Sequence, residues 1–164
     1  MDNILPHAQR LAEQLKLRRH TLAVSESSTG GLISATMLST PGASAFFLGG
    51  AVVYTAASRE GLLGIAPVAM TDIRSASEPY ALLCARTIKQ RLGADWAIAE
   101  TGAAGPTGNR YGDQAGHSCL AITGLVEQVL TLETGDTDRI ANMRTFAVAA
   151  IDLLYEALMT LPST

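Results

Sequence analysis

The sequence predicts a three-layer α/β/α domain built on a mixed, mostly parallel sheet of about five strands. Three observations carry this. Short apolar runs alternate with segments of helical period, which is the pattern of a parallel sheet covered on both faces. The runs end on turns rich in glycine or hydroxyls. The last two runs lie close enough for a hairpin, which makes one strand antiparallel.

The elements follow in order. Ile4, Leu5, Ala8, Leu11, Ala12 and Leu15 fall on one helical face, with Gln9, Arg10, Glu13 and Lys16 opposite. Thr21–Val24 reads as a short buried strand, and Leu32, Ile33, Ala35, Thr36 and Met37 as a helix ending near Ser39–Gly42. Phe46–Leu48 and the Gly49-Gly50 pair lead into a second strand, Ala51–Tyr54. Ala56–Leu63 can form a short helix stopped by Gly64. Ser75–Leu92 reads as a long helix, with Ser77 as cap, Glu78 and Pro79 in the first turn and Gly93 at the end. Ala94–Ala99 is a third buried strand. Between Thr101 and Gly116 come five glycines and a proline in sixteen residues, too long a stretch for a simple turn. Ser118–Thr123 and Gln128–Leu132 form the hairpin around Gly124, and Thr137–Leu161 is the closing helix.

The size suits one domain spanning 1–164, able to bury about 70% of its unfolded surface without a metal or disulfide staple. A net charge of −3 leaves no basic stripe for nucleic acid. No apolar run approaches the ~18 residues of a membrane helix, and the Met-Asp-Asn-Ile-Leu-Pro start lacks the pattern of a signal peptide. Cys84 and Cys119 sit singly in apolar runs, as reduced thiols of a cytoplasmic protein would. His7, His20 and His117 show no metal-ligand spacing. Metal and membrane partners are therefore not expected.

In such sheets ligands gather at the carboxyl ends of the parallel strands. Three loops should meet there. The first follows Val24 and carries Glu26, Ser27, Ser28 and Thr29, with Gly30 and Gly31 opening a helix whose free N–H groups could approach a ligand. The second follows Tyr54. The third runs from Glu100 to His117 and offers backbone N–H groups, one cation (Arg110) and the carboxylates of Glu100 and Asp113, a mixture suited to a phosphate or a sugar. It is neither a Walker loop nor a dinucleotide fingerprint, because it lacks Gly-Lys-Ser/Thr and the Gly-x-Gly-x-x-Gly spacing before a helix.

Taken together, several motifs resemble the C-terminal domain of the competence/damage-inducible CinA family: Glu26-Ser27-x-Thr29-Gly30-Gly31, Pro41-Gly42-x-Ser44, Phe47-x-Gly49-Gly50, Tyr54, Ser77-Glu78, Thr101-Gly-x-Ala-Gly-Pro106 and Gly135-Asp136-x-x-Arg139. That family includes nicotinamide-nucleotide amidases, which hydrolyse the carboxamide of nicotinamide mononucleotide to nicotinate mononucleotide and ammonia. The resemblance implies a nucleotide substrate, no cofactor and self-association into a homo-oligomer. It puts the serine nucleophile on Ser27, a positioning tyrosine on Tyr54, and oxyanion donors near Thr29–Gly31. Thr101, Gly102, Gly105 and their neighbours, with Arg59 or Arg110, would hold ribose and phosphate.

One departure touches the mechanism. The lysine expected five residues beyond the tyrosine is Arg59 here. A serine needs a base to become a nucleophile; a lysine of depressed pKa can serve, whereas arginine does not release its proton in a protein. Two readings of this departure follow. His117 could activate Ser27, oriented by Asp113 or Glu100; or Arg59 could pair with Glu100 or grip a phosphate, leaving hydrolysis lost. The sequence therefore supports an amidase acting through Ser27, a silent nucleotide-binding module, or an amidase for another amide.

Overall fold

The structure, a computed structural model describing residues 2–162, holds one five-stranded sheet in the order β2-β1-β3-β4-β5. The strands are β1 (Leu22–Glu26), β2 (Phe47–Val52), β3 (Trp96–Ala103), β4 (His117–Thr123) and β5 (Glu127–Glu133). β2 and β3 flank β1 in parallel, β4 runs antiparallel to β3, and β5 antiparallel to β4. The helices are α1 (Leu5–Arg18), α2 (Leu32–Leu38), α3 (Ala56–Leu63), α4 (Glu78–Leu92) and α5 (Arg139–Thr160). The predicted α/β class and mixed sheet are as observed. Of the span 1–164, Met1, Ser163 and Thr164 lie outside the described residues. Among the described residues no helix is long and apolar enough to cross a membrane, and no cluster of three metal-binding side chains occurs.

Strand alternation sorts the interior into two layers. Val24, Ile98, Leu120 and Ile122 point to one face and pack beneath α1 and α5 with Leu11, Leu15, Ile151 and Leu154. Ala23, Ala97, Ala99 and Ala121 point to the other, where their small side chains lie under Ala81, Cys84, Ala85 and Ile88 of α4.

Several boundaries differ from the sequence reading, each through pairing that composition does not reveal. β1 continues through Ser25 and Glu26 because β2 pairs with both. β2 begins at Phe47, since Gly49 and Gly50 lie in the ladder opposite Ala23 and Val24; a Cβ on Gly50 would collide with the Ser34 side chain. β3 runs on to Ala103 because Gly102 pairs with Ser118 and Ala103 with His117, so the glycine loop starts later than its composition suggests. The helix starts are trimmed to their caps. Ser77 Oγ accepts the Tyr80 N–H at 3.3 Å, and Asp138 accepts those of Ile140 and Ala141 at 2.9 and 3.0 Å.

Candidate active site

All three parallel strands deliver their carboxyl ends to one edge, and a cleft of about 490 Å³ opens there. Ser27 stands one residue past β1. By the same alternation that puts Ala23 on the α4 face, Ser25 and Ser27 turn to that face. Tyr54 and Arg59 come from the end of β2 and the start of α3. A capping box fixes that turn: Ser58 N–H donates to Thr55 Oγ1 at 3.1 Å and Thr55 N–H to Ser58 Oγ at 2.8 Å. β3 supplies Thr101 and Gly102, and a Cβ on Gly102 would run into the His117 carbonyl. Tyr80 of α4 forms part of the wall, and Asn109, Arg110 and Tyr111 come over from the glycine loop.

Six of the sequence-predicted residues therefore share the cleft: Ser27, Tyr54, Arg59, Thr101, Gly102 and Arg110. The Ser27 hydroxyl makes no hydrogen bond among the described residues and is free to meet a ligand, whereas its N–H donates to Glu100 at 3.1 Å.

The other predicted residues lie elsewhere, for identifiable reasons. Glu26 points to the opposite face and caps α2. Its carboxylate accepts the N–H groups of Gly31 and Ile33 at 3.0 Å and of Ser34 at 2.8 Å, with the Ser34 and Thr29 hydroxyls besides. Glu100 follows the alternation of Ile98 onto that same face and is buried. It accepts the Thr29 N–H at 2.9 Å and bonds the hydroxyls of Ser28, Thr29 and Ser118. Both carboxylates are thus committed to the protein's own backbone and cannot double as ligand contacts. Glu100 makes no ion pair with Arg59 either. Ser28 and Thr29 belong to this buried network. Gly30 and Gly31 form the turn at φ of 64° and 100°, in the left-handed region that favours glycine. Gly105, whose carbonyl accepts from Arg139 at 2.5 Å, lies off the cleft.

The expected oxyanion donors are likewise occupied: Thr29 N–H by Glu100, Gly31 N–H by Glu26, and Gly30 N–H by the Ser27 carbonyl at 3.1 Å. A helix start attracts anions only while its N–H groups are open. Here Glu26 has taken that place, and Glu100 holds the Thr29 N–H in the turn before it.

The reading of His117 as base for Ser27 is also corrected. Its Nε2 faces the Ala76 carbonyl at 3.0 Å, which can only accept, so Nε2 carries a proton. Its Nδ1 faces a Glu133 carboxylate oxygen at 2.5 Å, and Asp113 stands 3.6 Å from Nε2. Burial opposes a charge here, but the Glu133 bond, the Ala76 carbonyl and the Asp113 charge outweigh it and hold the imidazole above its ordinary value. With both ring nitrogens taken, its role is structural. Together with Thr101, whose Oγ1 accepts the Ala76 N–H at 3.2 Å, it pins Ala76 at a positive φ of 54° on the cleft wall.

Sequence reasoning passed over Tyr80, Asn109 and Tyr111. Asn109 organises the loop, its Oδ1 accepting the N–H groups of Tyr111 and Asp113 at 2.9 and 3.2 Å. Asp113 is clamped by both Arg74 nitrogens at 2.5 and 3.0 Å, a bond that holds its carboxyl below the ordinary range. The Tyr111 ring has the guanidinium groups of Arg74 and Arg110 at 5.3 and 5.1 Å from its centre. Arg110 also donates to the Tyr111 hydroxyl at 3.0 Å and draws it below its usual value. Tyr80 is pushed the other way by burial. The Asn-Arg-Tyr-Gly-Asp run, with an asparagine four residues before an aspartate, was the available signal for the loop. Tyr80 was hidden as an apparent core position of α4.

The architecture and the sequence have close counterparts. A CinA superfamily protein from Klebsiella pneumoniae 700603 superposes with a TM-score of 0.91 at 26% identity, over 97% of this chain and 99% of that one. The competence/damage-inducible protein from Agrobacterium tumefaciens superposes at 0.88 with 28% identity, over 96% of both chains. A CinA-like protein of Myxococcus xanthus is 32% identical over 162 residues, which is 96% of this chain and 38% of that protein. One from Acidobacterium capsulatum is 36% identical over 88% of this chain and 35% of its own length. The chain thus spans little more than a third of these two longer relatives. The CinA C-terminal domain pattern matches residues 5–158, from the start of α1 into the last turn of α5, so this chain belongs to the CinA C-terminal domain family.

Proposed function

We propose that the cleft is a binding site for a pyridine mononucleotide, and that this chain holds such a ligand without hydrolysing it as a serine–lysine amidase would. One observation carries the reading. The unbonded Ser27 hydroxyl shares the cleft with two guanidinium groups, Arg59 and Arg110, and among the lining residues there is no carboxylate, imidazole or amine.

Two arginines and three tyrosines make a wall suited to a phosphate and a flat ring. The carboxamide would lie toward Ser27 and the phosphate toward the guanidinium groups. Amide hydrolysis needs the serine proton removed and the tetrahedral oxyanion met by open donors. Arginine does not perform the first task, and the N–H groups of Thr29–Gly31 are already bonded.

A second reading rests on Tyr111. Its hydroxyl, drawn below the ordinary tyrosine value by Arg110, could take the Ser27 proton and restore an amidase. Titration calorimetry with nicotinamide mononucleotide, beside an ammonia-release assay, separates the readings. Binding that Arg59→Ala and Arg110→Ala weaken at least tenfold, without ammonia, supports the module. Ammonia release abolished by Ser27→Ala, and by Tyr111→Phe, supports the amidase. No binding at all overturns both.

A further inference from the structure

Behind Ser27 lies a buried acidic pair with no cation in its hydrogen-bond network. Glu26 and Glu100 are 0% and 2% exposed, and both reach the hydroxyl of Thr29, whose oxygen stands 2.9 Å from Oε2 of each. A hydroxyl has one proton and can donate it to only one of them. Two carboxylates sharing a buried site do not both stay ionised; one retains a proton. The hydrogen bonds decide which. Glu26 accepts three N–H groups from the first turn of α2, where the helix dipole favours an anion. Glu100 accepts two N–H groups and otherwise meets only hydroxyls, from Ser28, Thr29 and Ser118, any of which can accept a hydrogen bond as well as donate one.

We infer that Glu100 is held as a neutral carboxylic acid and acts as a positioning residue, its Oε1 giving the proton to the Ser28 or Ser118 hydroxyl while its Oε2 accepts the N–H groups that fix the backbone of Ser27. The surroundings agree from each side. On β4 Glu100 stands opposite Leu120 and bonds the hydroxyl of Ser118, two residues away on the same face, while His117 and Cys119 turn to the opposite face. On α5, Arg139 donates to the Gly105 carbonyl and Arg144 is exposed, so no ion pair reaches Glu100 among the described residues. Burial raises the Glu100 carboxyl, and the Ser28, Thr29 and Ser27 hydrogen bonds offset only part of that.

Glutamine reproduces an acid of this kind. Its carbonyl can accept the Ser27 and Thr29 N–H groups, while its NH₂ donates to Ser28 and Ser118 as the acid proton would. The test is carboxyl ¹³C NMR of glutamate-labelled native protein across pH 5 to 9, using Glu100→Gln to assign the signal. The inference expects a protonated carboxyl signal at pH 7 that is missing from Glu100→Gln. It also expects Glu100→Gln to keep the native thermal midpoint within a few degrees, with Glu100→Ala losing it. A Glu100 signal that is a carboxylate throughout, or Glu100→Gln as damaging as Glu100→Ala, overturns it. Neither readout involves a ligand, so failure here is distinct from failure of the proposed function.

Discussion

Glu26→Gln separates the two jobs a carboxylate at this place could have, capping or contacting a ligand. In the native chain Oε2 accepts the Gly31 and Ile33 N–H groups and Oε1 accepts that of Ser34 at 2.8 Å. An amide carbonyl set at Oε2 keeps the first two and brings its NH₂ against the Ser34 N–H, leaving that donor unpaired. A buried unpaired donor costs about 1–3 kcal/mol, and removing a charge from a helix start adds roughly 0.3–1 kcal/mol. The sum is about 1.3–4 kcal/mol. Glu26→Ala frees all three N–H groups and should cost more, on the order of 3–6 kcal/mol. At about 2–4 °C per kcal/mol for a chain of this size, Glu26→Gln should melt roughly 3–16 °C lower. Urea unfolding is the assay, with a lower midpoint and an unchanged slope as the expected form. Ser27→Ala, which removes an unbonded hydroxyl, is the control and should stay within about 0.5 kcal/mol. A Glu26→Gln protein as stable as native would refute the capping argument.

Further expectations follow from the same contacts. Asp138→Ala removes the two-N–H cap of α5 and should cost about 1 kcal/mol, read as a urea midpoint shift. His117 is held above its ordinary value, so its ion pairs stabilise fully below the unfolded histidine value of about 6.5 and are lost as pH rises through the raised value. Stability measured from pH 6 to 9 should fall for that reason, and His117→Ala should remove this part of the slope. Both cysteines are buried and free, and burial pushes the Cys84 thiol up to about 11. A thiol reagent at pH 8 should find neither in the folded protein and both after denaturation; rapid labelling of the folded chain would contradict this.

The fold was legible because its signal is periodic. Helical spacing in Ile4–Leu15 and in the closing helix, and apolar runs at Thr21–Val24 and Ala94–Ala99, locate the layers without tertiary knowledge. Strand ends were less legible, since Glu100–Ala103 reads as loop until His117 and Ser118 arrive to pair with it. The location of the site was legible from three loops at one sheet edge. Its inward and outward residues were confused because proximity in sequence was weighed above strand parity. Ser27 and Glu26 are neighbours in the chain yet face opposite sides, and alternation from Val24 would have shown it. Likewise Thr101 enters the cleft while Glu100 does not. No sequence signal told that Glu26 would fill the N–H groups at the start of α2, or that Glu100, 73 residues beyond Ser27, would take those of Ser27 and Thr29 before it.

The most direct test measures nicotinamide mononucleotide binding and ammonia release together in the native chain, Ser27→Ala and Arg59→Lys. The account predicts binding in the native chain, and no ammonia from it or from Arg59→Lys, because a lysine restores a base while the Thr29–Gly31 N–H groups stay bonded. Ammonia from the native chain that disappears in Ser27→Ala would contradict it and return the cleft to catalysis.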